Sequence, residues 1–543
     1  MGDSKPKRPP FQLGKKADLS SMMYTSTSKT VAPKPTITLS KPSNSNTAAV
    51  RSNNRIRIGK NGLPIPKSNG VRRSLTPSRS ASRQASSEPR EVVKNGKKPS
   101  RSSPVVSTTP QWGSEEDEDD EREDEARRKR VRLEEPTIDK TRKIKHEGSF
   151  SETTAPYDIV HAADIANNQI QKHGRYQFAE YFTALQEDEE DCPTIDLQYP
   201  CGNMAERYQL VKPTADTSDF RPLSEIVDNM RIVKDHYLDP LSADKVEPSE
   251  LGGGGLVLKL ERAAKDRQRA GAQQRFIDVV NEYNALLSAK RQDGTIATKL
   301  DRMTSPLPLT LVQHLVKDQI YARTVSPHID SVRAYEGFSD NVYGELLPKF
   351  LSRIFQETHL KSNQIFVDLG SGVGNCVLQA ALEAGCESWG CEMMPNPAKL
   401  AEAQAQEFPS RCRMWCIKPG KVHLIQDDFT KNLEILEVLR RADVVLVNNQ
   451  AFNPDLHDNL KSIFLELKEG CQIVSLKYFR DPAHRVKESN INDLVNCLTV
   501  VEKERFSGMV SWTDVPGKWY LHVKDSTELK AVKNRLEKSR RTT

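Results

Sequence analysis

Apolar side chains are spaced in two regimes along this chain. Between residues 154 and about 325 they recur at helical intervals, in Tyr157 to Ile170, Tyr176 to Leu185 and Phe220 to Tyr237. Past a loop of four glycines, Gly252 to Gly255, one long helix is predicted, because Phe276, Val279, Val280, Tyr283, Leu286 and Leu287 fall at i, i+3, i+4, i+7, i+10 and i+11. Beyond Arg333 short apolar runs take over: Ile365 to Leu369, Ser388 to Cys391, Val422 to Ile425, Val444 to Val447 and Gln472 to Leu476, separated by helical stretches such as Val377 to Ala384. Strand and helix in alternation predict a parallel sheet covered on both faces. Gly508 to Val523 reads as two antiparallel strands joined near Asp514 to Gly517.

Residues 1 to 153 follow neither pattern. Residues 1 to 110 hold 22 Lys plus Arg against 4 Asp plus Glu, a balance of +18, so with +6 for the whole chain the remainder carries −12. So charged and Ser/Pro-rich a stretch buries too little apolar surface to offset its ordering entropy. An acidic run, Glu115 to Glu125, precedes Arg127, Arg128, Lys129, Arg130 and Arg132. The two runs could simply shield one another as solvated linker; the sharper reading is a nuclear-import signal behind an arm that grips DNA phosphates without reading sequence. With 36% apolar residues and no window of eighteen, the chain is not membrane-embedded. Nine cysteines without regular spacing suit a reducing compartment, and the paired two-residue spacings of zinc sites are absent around Cys386, Cys391, Cys412 and Cys416, so no metal is expected.

Candidate chemistry gathers at strand ends. Asp368, Leu369, Gly370, Ser371, Gly372, Val373, Gly374, Asn375 turns a strand into a helix through residues that let backbone approach a ligand. Glu392 closes the next strand 22 residues beyond Gly370, the interval at which a carboxylate meets a ribose diol. The loop lacks the last glycine of a dinucleotide fingerprint. S-adenosylmethionine, which has no phosphate and carries a cationic sulfonium, suits Asp368 better than a pyrophosphate would. Asp428 and Phe429, after the following strand, could accept the adenine amino group and stack on the base, or simply cap a loop. Asn448 and Asn449 end the strand after that; their carboxamide oxygens can aim an amine, or else close an Asn turn. An amine nucleophile must be neutral, which costs roughly 4 kcal/mol for a lysine of ordinary pKa, and desolvation beside a sulfonium lowers that cost.

Taken in order, YEGFSDNVYGE (Tyr335 to Glu345), VDLGSGVGNC, VNNQAF and VSWTDVPGKWYLH resemble the histone-lysine methyltransferase family called disruptor of telomeric silencing, the non-SET class, over residues 331 to 530. A long Lys-rich arm resembles the fungal type. The resemblance implies a seven-stranded, Rossmann-like S-adenosylmethionine-dependent α/β methyltransferase that adds one, two or three methyl groups to a lysine in the globular core of histone H3. It also implies roles in telomeric silencing, chromatin regulation and the DNA-damage response. By motif match, Glu336 to Leu346 is a lid with Tyr343, Gly344 and Glu345 on the donor; Asp368, Gly370, Ser371, Gly372, Gly374, Asn375, Glu392, Asp428, Phe429 and Asn449 hold the cofactor. Asn449, with Asn448 beside it and Tyr343 over it, orients the amine. Phe452, Trp512, Trp519 and Tyr520 form an aromatic channel, and Arg480, Arg485 and Lys487 meet the acidic histone surface. Gln450 and Leu346 depart from the animal pattern, at the channel and lid.

The expected organisation is a disordered tail over 1–153, a mainly helical part over 154–325, the methyltransferase domain over 326–535 and a basic C-terminal tail over 536–543. A monomeric nuclear enzyme acting on nucleosomes is expected. The rival readings are a nucleic-acid amino-methyltransferase, against which the missing Asn-Pro-Pro-aromatic element speaks, and a non-catalytic chromatin scaffold.

Overall fold

In the computed structural model, which describes residues 138–151, 158–167, 178–185, 190, 192–202, 204–214, 220–249, 254–333 and 344–542, the change of period near residue 333 marks a change of architecture. The first part contains α1 (Ala162–Asn167), β1 (Phe178–Glu180), β2 (Thr194–Gln198), β3 (Ala205–Gln209), β4 (Val211–Pro213), α2 (Pro222–Tyr237), α3 (Leu256–Lys265), α4 (Ala272–Gln292) and a π-helix, His314–Tyr321. Helix α4 buries Phe276, Val279, Val280, Tyr283 and Leu287, the stripe that its spacing predicts.

This part is less helical than expected. Strand β1 pairs antiparallel with β4, and β2 with β3. Tyr176 to Leu185, read as helical, holds β1 instead, and of Tyr157 to Ile170 only α1 is helical among the described residues. The reason is visible in β3, whose inward side chains are Glu206 and Tyr208. Their polar groups conceal the two-residue period from an apolar count.

Glu206 is fully buried and meets Arg323 at 2.7 Å and, on α7 (Pro395–Met414, below), Arg411 at 2.5 Å; Arg323 also meets Glu225 at 2.6 Å. The two guanidinium groups outweigh burial and hold the Glu206 carboxyl far below its ordinary range, whereas burial keeps that of Glu225 raised. This ionic cluster joins the first part to the second.

The second part comprises α5 (Pro348–Glu357), β5 (Ile365–Leu369), α6 (Asn375–Glu383), β6 (Glu387–Glu392), α7 (Pro395–Met414), β7 (Val422–Gln426), α8 (Leu433–Arg441), β8 (Val444–Val447), α9 (Pro454–Ile463), β9 (Gln472–Ser475), β10 (Leu498–Arg505), β11 (Gly517–Lys524) and α10 (Thr527–Thr542). Its seven strands lie in the order β10-β11-β9-β8-β5-β6-β7. All neighbours are parallel except β11, which runs antiparallel to β9 and β10. This is the seven-stranded methyltransferase layout expected from the sequence. Chain order reverses between β5 and β8, so a crevice opens at their carboxyl ends.

Three boundaries differ from expectation. Residues 138–151, assigned to the tail, pack on the body: Asp139 accepts hydrogen bonds from Ser362 N (2.9 Å) and Oγ (2.6 Å), Arg142 donates to Leu382 O and Glu383 O at 2.5 Å, and Ile144 is buried. The terminal hairpin pairs Leu498–Arg505, not residues 508–513, with β11. Residues 509–511 instead pair with 345–347, through Leu347 N to Met509 O (2.9 Å) and Ser511 N to Glu345 O (2.9 Å). The basic C-terminal tail expected from 536 is the second half of α10.

Candidate functional site

The sharp turn after β5 is built on left-handed backbone. Gly370, Gly372 and Gly374 have φ of 83°, 55° and 89°, a region that strains any side chain. Gly370 N and Ser371 N donate to Cys391 O, so the loop is fixed to the neighbouring strand, and α6 starts at once from Gly374. A Cβ on Gly374 would also lie 3.1 Å from Leu424.

At this crevice a cavity of about 170 Å³ brings together Gly344, Glu345, Asp368, Gly370, Ser371, Gly372, Asn375, Glu392, Phe429, Asn448 and Phe452 from five separate stretches of chain. Glu392 accepts from Gly372 N (2.9 Å) and Met394 N (2.8 Å), which holds its carboxylate at the rim; burial raises its pKa against those hydrogen bonds. Asp368 is buried, and that burial pushes its pKa up to about 7, with a hydrogen bond from Cys376 opposing and the Glu392 charge adding. A buried acid on a cavity wall, with no Lys, Arg or His lining that cavity among the described residues, is a fitting counter-charge for a cationic ligand. Gly370 and Gly372 on the wall, three carboxylates and the Phe429 ring together fit S-adenosylmethionine.

The paired asparagines divide their work. Asn448 lines the cavity; its Nδ2 donates to Gly344 O at 3.1 Å, while its buried Oδ1 has no hydrogen-bond partner among the described residues. Asn449 is fully buried and occupied elsewhere: its Oδ1 accepts from Leu476 N (3.0 Å) and Lys477 N (2.8 Å), and its Nδ2 donates to Lys477 O (2.9 Å). Asn449, expected to orient the amine and touch the donor, is not among the residues lining this cavity, whereas Asn448 is. The two side chains diverge at the strand end, so one faces the crevice and the other latches β8 to the loop after β9.

Other expected residues separate similarly. The Phe452 ring stacks near Phe429 (centroids 6.3 Å apart) and borders both the cavity and an outer cleft lined by Asn453, Pro454, His457, Leu476, Lys477, Tyr478 and Tyr520. Tyr520 thus belongs to the outer cleft. Trp512 covers Gly344, where a Cβ would come within 2.7 Å of its ring. Trp519 is corrected from channel to core: it is fully buried, packs edge-on against Phe350 and donates to Glu504 O. Asp428 does not line the cavity; Thr430 and Lys431 engage its carboxylate and lower its pKa. Arg480, expected on the nucleosome-facing surface, is buried on Leu498 O and paired with Glu528 at 2.7 Å, whereas Arg485 and Lys487 are exposed. Tyr343 and the basic cluster Arg127, Arg128, Lys129, Arg130 and Arg132 lie outside the described residues.

Sequence reading missed Ser331, Val332, Met393, Met394 and Cys376 on the cavity wall. Met393 and Met394 could have been found, since they directly follow Glu392 at a strand's carboxyl end. Nothing in the sequence marks Ser331 or Val332, which arrive from the helical part by folding.

The chain is similar over residues 321–524 to the family described as histone methylation protein DOT1. Proteins named histone-lysine N-methyltransferase, H3 lysine-79 specific, are similar to it in three fungi. That of Emericella nidulans is 47% identical, covering 73% of this chain and 76% of the relative; that of Aspergillus fumigatus is 46% identical, covering 76% and 78%; that of Gibberella zeae is 41% identical, covering 71% and 74%. Among solved structures, an RNA methyltransferase from Salinibacter ruber in complex with S-adenosyl-L-homocysteine aligns at a TM-score of 0.22 with 19% identity, over 34% of this chain and 95% of the other. A precorrin-6y C5,15-methyltransferase from Geobacter metallireducens aligns at 0.24 with 14% identity, over 33% and 92%.

Proposed function

This chain belongs to the DOT1 family of histone methylation proteins, and from that membership we propose that it transfers methyl groups from S-adenosylmethionine to the histone H3 lysine, number 79, for which its fungal relatives are named. It is an S-adenosylmethionine-dependent histone-lysine N-methyltransferase, and its substrate is histone within chromatin. The observation that carries the assignment of roles is the Oδ1 of Asn448, without a hydrogen-bond partner among the described residues, inside a cavity whose Phe452 wall continues into the outer cleft.

When bound, S-adenosylmethionine supplies an electrophilic methyl carbon on a sulfonium. Gly370 and Gly372 would give it room, Glu392 would take the ribose and Phe429 the adenine face. Asp368 supplies the counter-charge. A lysine side chain enters through the outer cleft between Tyr520 and Phe452, where the aromatic walls strip water from its ammonium and favour the neutral amine. Asn448 Oδ1 accepts one N–H, which turns the lone pair toward the methyl carbon. In-line displacement follows from proximity and orientation, without a dedicated base.

Arg485 and Lys487 meet the acidic histone surface from their exposed loop. The basic arm binds DNA without sequence preference, and the cluster from Arg127 to Arg132 directs nuclear import. Radiolabelled methyl donor offered separately to nucleosomes, free histones, DNA and RNA tests the reading. Label is expected on H3 of nucleosomes and should form roughly a hundredfold more slowly with Asn448→Ala; label on either nucleic acid would overturn it.

A further inference from the structure

A side pocket of about 20 Å³, room for one small polar group, opens beside the cofactor cavity and shares Glu345, Leu346 and Asn375 with it. The charges around the two spaces are lopsided. Among the described residues, the main cavity is lined by the carboxylates of Glu345, Asp368 and Glu392 and by no Lys, Arg or His. Such a wall suits the sulfonium and the ammonium of S-adenosylmethionine. It repels the carboxylate that the same amino-acid end carries. Lys317, in the side pocket, is the one cationic side chain that the two spaces meet among the described residues.

Lys317 stands on the π-helix His314–Tyr321, a rare geometry that recurs at functional sites. The other face of this segment is fastened in the core: Gln319 accepts from Trp415 Nε1 at 2.8 Å and donates to Asn229 Oδ1 at 2.9 Å, and His314 Nε2 lies 2.9 Å from the same Asn229 oxygen. With that face held, Lys317 and Tyr321 border the side pocket.

We propose that the side pocket receives the carboxylate of the methyl donor's amino-acid end and that the Lys317 ammonium pairs with it there. The inference rests on S-adenosylmethionine being the ligand of the main cavity. Lys317 would act in cofactor selection, favouring the complete donor over one lacking the acid group.

Calorimetric titration of the full-length chain and its Lys317→Met variant with S-adenosylmethionine and with decarboxylated S-adenosylmethionine tests this. The unaltered chain should bind the complete donor roughly tenfold more tightly than the decarboxylated one, the usual size of a single charge-assisted hydrogen bond. Lys317→Met should lose that preference while binding the decarboxylated compound within about twofold of the unaltered chain, and Lys317→Arg should restore part of it. Equal weakening toward both compounds, or no change toward either, overturns the proposal while leaving the cofactor assignment intact. Failure of the unaltered chain to bind either compound overturns the cofactor assignment itself.

Discussion

At the scale of single residues, neighbours of one chemical type have opposite duties. Asn449→Ala removes the bonds of a fully buried carboxamide to Leu476 N, Lys477 N and Lys477 O and should cost about 2–4 kcal/mol of stability, read as a lower unfolding midpoint. Among the described residues Asn448→Ala removes only the bond to Gly344, and it should leave the midpoint nearly unchanged while lowering kcat by roughly a hundredfold, the scale of a lost orienting contact. A reversed pattern would return the orienting role to Asn449. Asp368 adds a pH signature. Its pKa rises from 3.8 unfolded to about 7 folded, so between those values the folded chain keeps a proton that the unfolded chain has lost. Stability without cofactor should therefore fall as pH climbs through that window, by of order 4 kcal/mol, and level off above it. Asp368→Asn should flatten this slope in melts taken from pH 5 to 8. Affinity for the cationic donor should run the other way and increase up to about pH 7, since the donor favours the ionised acid. The sequence marks all three residues as polar groups at strand ends, but which face each takes depends on the neighbouring strand and loop.

At the scale of elements, the glycine loop was legible because its backbone demands its residue type: left-handed φ at three alternate positions admits little else. The 509–511 segment was not, because its partner is the stretch 345–347, far away in sequence, and an apolar alternation does not say which strand it pairs with. The strap at 138–151 was hidden for a related reason. Its anchors are charged: Arg142 gives two hydrogen bonds to the last carbonyls of α6, the helix whose first turn is the cofactor loop. Arg142→Ala should lower stability by about 1–3 kcal/mol, since it takes the guanidinium from Leu382 O and leaves Glu383 O with Leu307 N alone (3.1 Å). Thermal melts measure this, and an unchanged midpoint would mean that the strap is ornamental to the fold.

At the scale of the whole molecule, the Glu206 cluster fastens two architectures that sequence periodicity treats as separate. Glu206→Gln leaves Arg323 and Arg411 buried without their shared counter-charge and should cost about 3–5 kcal/mol, seen in denaturant unfolding; a loss under 1 kcal/mol would show that the two parts hold without it. If the arm binds DNA as proposed, removal of residues 1–137, which spares the strap, should weaken nucleosome binding at low salt and flatten its dependence on salt. Equal affinity with and without the arm across salt concentrations would refute that role. By itself the sequence determined the parallel sheet, the glycine turn, the acid one strand later and the order of the motifs. Each is written in spacing along the chain, and backbone geometry ties spacing to conformation within an element. Only the tertiary structure decided that Asn448 and not Asn449 faces the crevice, that Trp519 and Arg480 are interior, and that Lys317 borders the side pocket next to the cavity. Those outcomes depend on which distant side chains fill each polar group's hydrogen bonds, and no local spacing records such a choice.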